Sequence, residues 1–283
     1  MRVRLAPVLP VVLAGLLVPA LSLSAGTRLE KALRLEPGGR FSLDTDLGSV
    51  TVTGTATPGA RLVITSKRQD LDELLRFTFR EDAGSVSITA RRRHGRSFGW
   101  FNSGGDSIHW EVQVPEQTRV EIDSSGGAIK VASLRSDARL RTSGGGIEAA
   151  ELDGSIDAET GGGSVDLDRV SGDIHARSSG GGIHIRDAGG RVEADTSGGG
   201  IEASFTKGNA RGGSLSTSGG GIRVAIDPSV GLRIDASGNS VHADIPITVQ
   251  GAISRGKLQG TLGRGGELLR LYTSGGGVRI QGI

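Results

Sequence analysis

The sequence predicts an all-β chain wound as a β-solenoid, a right-handed β-helix with coils of about 18 residues and two strands per coil. Three observations predict it. First, TSGGGI stands at residues 142–147, 196–201 and 217–222, with variants SSGGAI, TGGGSV, SSGGGI, ASGNSV and TSGGGV at 124, 160, 178, 236 and 273. Second, the apolar residue closing each motif recurs at a fixed step: Ile129, Ile147, Val165, Ile183 and Ile201 are 18 apart. A period of this size marks a repeat architecture. Third, apolar residues alternate by two on both sides of the glycines, which reads as strand, turn, strand and fits no helix.

The first 25 residues stand apart. Arg2 and Arg4 precede an apolar run from Leu5 to Leu23, and Ser22, Ser24 and Ala25 follow. That is the order of a secretory signal, and Pro7, Pro10 and Pro19 oppose a stable spanning helix. The expected layout is a signal peptide at 1–25, a less regular β region at 26–117 and the solenoid repeats at 118–283.

Within 26–117, FSLDTDLGSVTV at Phe41 matches the repeat in degenerate form, with Val50 at the isoleucine place. It is expected to be an early coil. Strand-like runs follow at 61–65, 77–80, 85–90 and 108–114, and residues 70–76 suit a short helix capping the apolar end of the stack.

From 118 onward the unit is apolar-x-apolar-x-T-S-G-G-G-I-x-apolar-x-x-L-x-G-x. Val120, Ala138, Ile156, Ile174 and Val192 form one inward column, and Ile122, Leu140, Ala158, Ala176 and Ala194 another. Leu134, Leu152, Val170 and Ala188 close the unit. One coil cannot bury its apolar face alone, but stacked coils about 4.8 Å apart can. Each buried Ile, Val or Leu contributes roughly 1.5–3 kcal/mol, and the alanines imply a thin, flattened core. The glycines are expected where φ is positive or no Cβ fits, at a corner stacked on identical corners. The outward columns Glu121–Arg139–Asp157–His175–Glu193 and Asp123–Arg141–Glu159–Arg177–Asp195 alternate in sign, so stacking in register sets opposite charges side by side. TKGNARGG, after Phe205, adds three residues and is expected to bulge outward. The pattern blurs from 245 to 268 and returns in LRLYTSGGGVRI.

Composition limits the chemistry. The chain has 283 residues, 48 of them glycine, and no cysteine, which excludes disulfides, thiol catalysis and zinc–thiolate sites. Without Arg2 and Arg4 the basic and acidic residues number 31 each, so no overall charge draws nucleic acid. A phosphate cradle needs its glycines to open a helix, and here they open a strand. A calcium repeat is approached only by GGGSVDLD at Gly161, where Ser164 stands in a glycine's place.

Three constellations remain. Glu148 and Asp166 are successive in the outward column Lys130–Glu148–Asp166–His184–Glu202, roughly 5 Å apart by strand spacing, near the separation of a retaining glycosidase pair. The simpler reading is a solvated ladder. Asp166, His184 and Glu202 offer donors for a divalent metal but no supporting groups around them. The sharpest feature is RRRHGRSFGWFNSGG, which places Arg91, Arg92, Arg93 and Arg96 beside Phe98, Trp100 and Phe101. Arginine with aromatic side chains suits an anionic polymer, a lipid headgroup or a sugar face; the bland alternative is a polar hairpin loop packed on the wall.

GSVTVTG, VQVPEQTRVEIDSSGGAIKV and the SGGGI-x-A units resemble the bacterial DUF4097 family of adhesin-like β-strand-repeat proteins. The resemblance covers nearly the whole chain after the leader. It implies a β-solenoid at the cell envelope or surface with no assigned chemistry, and it supplies no catalytic residues. The expected function is a non-catalytic exported structural or interaction module without cofactor or metal. Its partner would be an envelope polysaccharide, an anionic lipid surface or a protein. The competing reading is a carbohydrate-active β-helix enzyme.

Overall fold

A computed structural model describes residues 26–67, 71–82, 84–93, 108–250 and 254–283. The leader expected at 1–25 lies outside them. Two long sheets, of 12 and 13 strands, face each other across one apolar core. Each repeat gives one strand to each sheet. Ile129–Leu134, Ile147–Leu152, Val165–Val170, Ile183–Ala188, Ile201–Phe205 and Ile222–Ile226 run parallel in one sheet. Arg119–Ser124, Ala138–Thr142, Ile156–Thr160, Ile174–Ser178, Val192–Thr196 and Gly213–Thr217 run parallel in the other.

Register follows the period read from sequence. Ile147 pairs with Ile129 and Val165, and Ile156 with Ala138 and Ile174. Side chains of a strand alternate between faces, so both sets of large residues and the alanines Ala149, Ala158, Ala176 and Ala194 are buried.

The inner face also carries a polar line. Thr142, Thr160, Ser178, Thr196, Thr217 and Thr273, one before each Ser/Gly turn, are buried. The Thr160 hydroxyl donates to the Gly145 carbonyl of the preceding coil (2.7 Å) and accepts the Gly163 amide of its own turn (3.2 Å). Thr142, Ser178, Thr217 and Thr273 repeat the pair of bonds. A buried hydroxyl without partners would cost about 1–3 kcal/mol; here each one ties two coils together.

The glycines of these turns do not have left-handed φ. Close approach explains at least one glycine of each triplet. A Cβ on Gly145, Gly163, Gly181 or Gly199, which share one place in the stacked turns, would lie within 3.0 Å of the backbone of the coil before it. The glycine before that place varies: a Cβ on Gly144 would meet nothing nearer than 3.8 Å, whereas one on Gly198 would lie 2.7 Å from the Gly180 carbonyl oxygen. Left-handed residues stand elsewhere. Ser133, Glu151, Arg169 and Asp187, again 18 apart, have φ of 54–59°. Each is an extra outward residue that re-aims the following Leu134, Leu152, Val170 or Ala188 into the core, as a β-bulge does.

Both ends of the stack depart from sequence order. The early coil, Arg40–Thr45 and Ser49–Thr55, lies directly on the first repeat, with Phe41 against Val120 and Val50 against Ile129. The later strands Ser85–Arg92 and Ile108–Pro115 stack outside it. Antiparallel strands Ala60–Ser66, Thr27–Leu33 and Leu75–Asp82 finish that end, and a four-residue helix, Leu71–Leu74, buries Leu71. At the other end, Glu267–Thr273 and Gly277–Gly282 slot between the coil at 213–226 and the strands Leu232–Ser237 and Ser240–Ala243. Lys257–Leu262 and Thr248–Val249 add antiparallel strands outside. The antiparallel additions cover strand edges that would otherwise invite pairing.

The insert after Phe205 does not simply bulge outward. Asn209 is buried, and its amide donates to the Ala188 (2.7 Å) and Gly190 (3.0 Å) carbonyls of the neighbouring coil. Asp227 holds the same loop by accepting the Gly208 amide at 3.0 Å.

Candidate functional site

The outer walls carry the candidate chemistry. On the sheet containing Ala138–Thr142, Arg139 reaches Asp157 (3.3 Å), Arg141 reaches Glu159 (3.3 Å), and His175 lies 3.1 Å from Glu193. The sign alternation read from sequence is therefore a ladder of contacts. It breaks where Asp44 lies beside Asp123. Arg91 compensates Asp44 and sits 3.0 Å from Asp46. Burial, reinforced by Asp44 and Glu121 and opposed by Arg141, holds the Asp123 carboxyl above its ordinary range. Asp46 is shifted the other way: burial would raise it, but the Arg92 amide and the Arg91 guanidinium outweigh burial.

Glu148 and Asp166 are adjacent in register, yet they do not converge on a shared space. Lys130 takes Glu148 at 2.5 Å, while Asp166 accepts from Ser164 (2.7 Å) and lies 3.0 Å from His184 Nδ1. Glu202 pairs with Arg223 at 3.3 Å. Asp166, His184 and Glu202 thus share a column, but among the described residues no three His, Asp or Glu side chains gather closely enough to hold a metal ion.

The arginine–aromatic stretch is described only at its start. Arg91 and Arg92 end the strand Ser85–Arg92, and Arg93 follows; all three are exposed. Arg91 is committed to Asp44 and Asp46, which sequence reasoning left unseen because the acids lie on a strand far earlier in the chain. Arg96, Phe98, Trp100 and Phe101 lie outside the described residues. Trp110 is fully buried, tilts against Phe77 with ring centroids 5.9 Å apart, and donates its indole N–H to the Leu47 carbonyl at 2.9 Å.

A second surface feature appears only in three dimensions. An open trough of about 490 Å³ runs along the wall across Gly200, Gly221, Gly277 and Ser240, beside the column Glu202–Arg223–Arg279–His242. The signal for it, two arginines in neighbouring rungs, was hidden because Gly277–Gly282 stacks out of chain order.

The profile of the family described as Toastrack DUF4097 matches residues 39–281. The chain belongs to this family. Among solved structures, a candidate adhesin from Bacteroides fragilis NCTC 9343 superposes with a TM-score of 0.52 at 12% identity, covering 91% of this chain and 97% of that one. A candidate lipid-binding protein from Parabacteroides distasonis ATCC 8503 gives 0.43 at 13% identity, covering 91% and 96%. No curated protein matches. At 12% identity the superposition on the Bacteroides structure shows likeness of fold alone.

Proposed function

We propose that this Toastrack protein is a non-catalytic interaction module, adhesin-like, exported to the periplasm or surface of a bacterial cell envelope. The observation that carries this reading is the state of the wall carboxylates. Glu148, Asp166, Glu193 and Glu202 each lie against a basic partner or an imidazole of a neighbouring coil, so the glycosidase arrangement lacks a free facing pair. The name given to the Bacteroides structure points the same way. Export is supported by the leader pattern at 1–25.

A first candidate contact is the arginine–aromatic stretch, with Arg92, Arg93 and Arg96 beside Phe98, Trp100 and Phe101 facing an anionic glycan, lipid or protein. Arg91, the first arginine of the stretch, pairs with Asp44 and Asp46 on the wall. The test is capture from fractionated envelopes and on glycan arrays, with release of reducing ends measured on the same polysaccharides. Capture without bond cleavage supports the module. Turnover of any polysaccharide would replace it with the carbohydrate-active enzyme, and no capture from any envelope fraction would overturn it.

A further inference from the structure

Charge is divided unevenly along the solenoid. Residues 119–202 carry nine Lys and Arg against fifteen Asp and Glu, whereas residues 203–283 carry nine against four. Within that basic third, Arg223 and Arg279 occupy neighbouring strands in direct register, and His242 takes the next rung. Like charges directly opposite are destabilising, and the columns from Glu121 to Glu193 and from Asp123 to Asp195 avoid them. Here the inserted strand Gly277–Gly282 creates the pair.

Each arginine has a carboxylate on one flank only. Glu202 lies 3.3 Å from Arg223, and Asp244 lies 3.6 Å from Arg279 and 2.6 Å from His242. Both arginine side chains are 55% exposed. Guanidinium forks bind carboxylate, sulfate and phosphate through paired donors, and two forks one rung apart frame a position for one such group. The trough beside them gives the rest of a ligand its place. Its floor is glycine backbone at Gly200, Gly221 and Gly277, and the Ser240 hydroxyl lines its end. From Gly182 to Ser240 it spans five rungs, about 19 Å at normal strand spacing.

We propose that this trough binds an extended acidic glycan, with one anionic group held between Arg223 and Arg279. A flat lipid surface would meet the ridge of side chains and leave the recessed floor empty. No Phe, Tyr or Trp is among the residues lining the trough, so it lacks the large rings of a stacking platform for nucleobases. The inference rests on the interaction-module reading and gives it a ligand class and a place separate from the arginine–aromatic stretch.

The test uses the full chain and oligogalacturonates of one to six units. Uncharged galactose oligomers of equal length and phosphatidylglycerol vesicles are the comparison probes. The parent is expected to bind the acidic oligomers, more tightly up to about four or five units, the span of the trough. Arg223→Ser with Arg279→Ser should weaken binding at least tenfold at unchanged Tm; the double Arg→Lys variant, which keeps the charge but not the fork, should fall between that variant and the parent. Arg270→Ser, exposed on the opposite sheet, should leave it unchanged. Parent-like binding by the double serine variant overturns the site. If Arg93→Ser with Arg96→Ser removes binding instead, the interaction module stands and the trough falls. Equal affinity for the uncharged oligomers, or vesicle binding without oligogalacturonate binding, overturns the acidic glycan, as does a parent that binds none of these oligomers.

Discussion

Each central coil turns two corners; both rely on a closely approached glycine, and one of them adds a left-handed residue. At the Ser/Gly corner the chain keeps ordinary φ and gives up a side chain: Gly145 and its counterparts are glycine because the preceding coil's backbone passes where a Cβ would be. The other corner has such glycines too, at Gly154, Gly172 and Gly190, but the strand leading into it also keeps a side chain and gives up ordinary φ: Ser133, Glu151, Arg169 and Asp187 are left-handed without being glycine. Stacking at strand spacing leaves little room on a corner's axial side. A residue there must either lose its Cβ or rotate it away. The glycine-rich corner is thus about distance, and torsional strain is stored at the corner that looks unremarkable in sequence.

The sharpest way to break this distinction is within one turn. Gly145→Ala should destabilise by about 3 kcal/mol, since the new methyl has rigid backbone on its near side. Gly144→Ala, with nothing nearer than 3.8 Å, should change stability by no more than about 0.5 kcal/mol. Chemical denaturation of both decides it; equal losses would mean that the whole triplet answers a torsional demand.

The hydroxyl column comes next. Thr160→Val keeps the shape but leaves the Gly145 carbonyl and Gly163 amide without their partner, at a cost of about 1–3 kcal/mol. Thr160→Ser should be nearly neutral, because Ser178 already fills the equivalent place with the same bonds. Similar losses for the two variants would assign the effect to packing.

At the opposite corner the sign should reverse. Asp187→Gly removes the cost of left-handed φ at an exposed residue and should stabilise by about 1 kcal/mol. Asp195→Gly, on the regular strand Val192–Thr196, should destabilise by about 1 kcal/mol through backbone entropy and lost strand propensity. Thermal melts that lower Tm in both variants would show that the left-handed corner is not strained.

The same contrast explains what could be read in advance. The period, the inward columns and the charge ladders follow from side-chain alternation, which a repeating sequence displays openly. The left-handed bulge left a mark too, as the two successive outward positions before Leu134 and Leu152, but non-glycine residues there give no torsional signal. The ends were harder. Arg279 falls beside Arg223 because a strand made last is placed next to last, and spacing along the chain cannot report an insertion. The wall acids were legible as columns, while the hold of Arg91 on Asp44 and Asp46 required strands far apart in sequence.

The smallest effect concerns acid, and the corners should answer it in opposite directions. Glu151, at the left-handed corner, accepts from the Ser133 hydroxyl and from Arg169, and these hold its carboxyl below the ordinary glutamate range. A depressed folded value means that its contribution is whole above the unfolded value of 4.5 and is lost as pH falls through the lower folded value. Asp123, just before the Ser124–Gly127 turn, is raised by burial. Its ionised form is the unfavourable one, so its penalty is full above the raised folded value and gone below the unfolded value of 3.8. Glu151→Gln should therefore lower Tm at neutral pH and match the parent in strong acid, while Asp123→Asn should raise Tm at neutral pH and lose that advantage on acidification. Melting curves from neutral pH to about pH 3 separate the two. If the variants follow the parent in parallel at every pH, neither carboxylate feels its corner, and acid sensitivity belongs to the ladders as a whole.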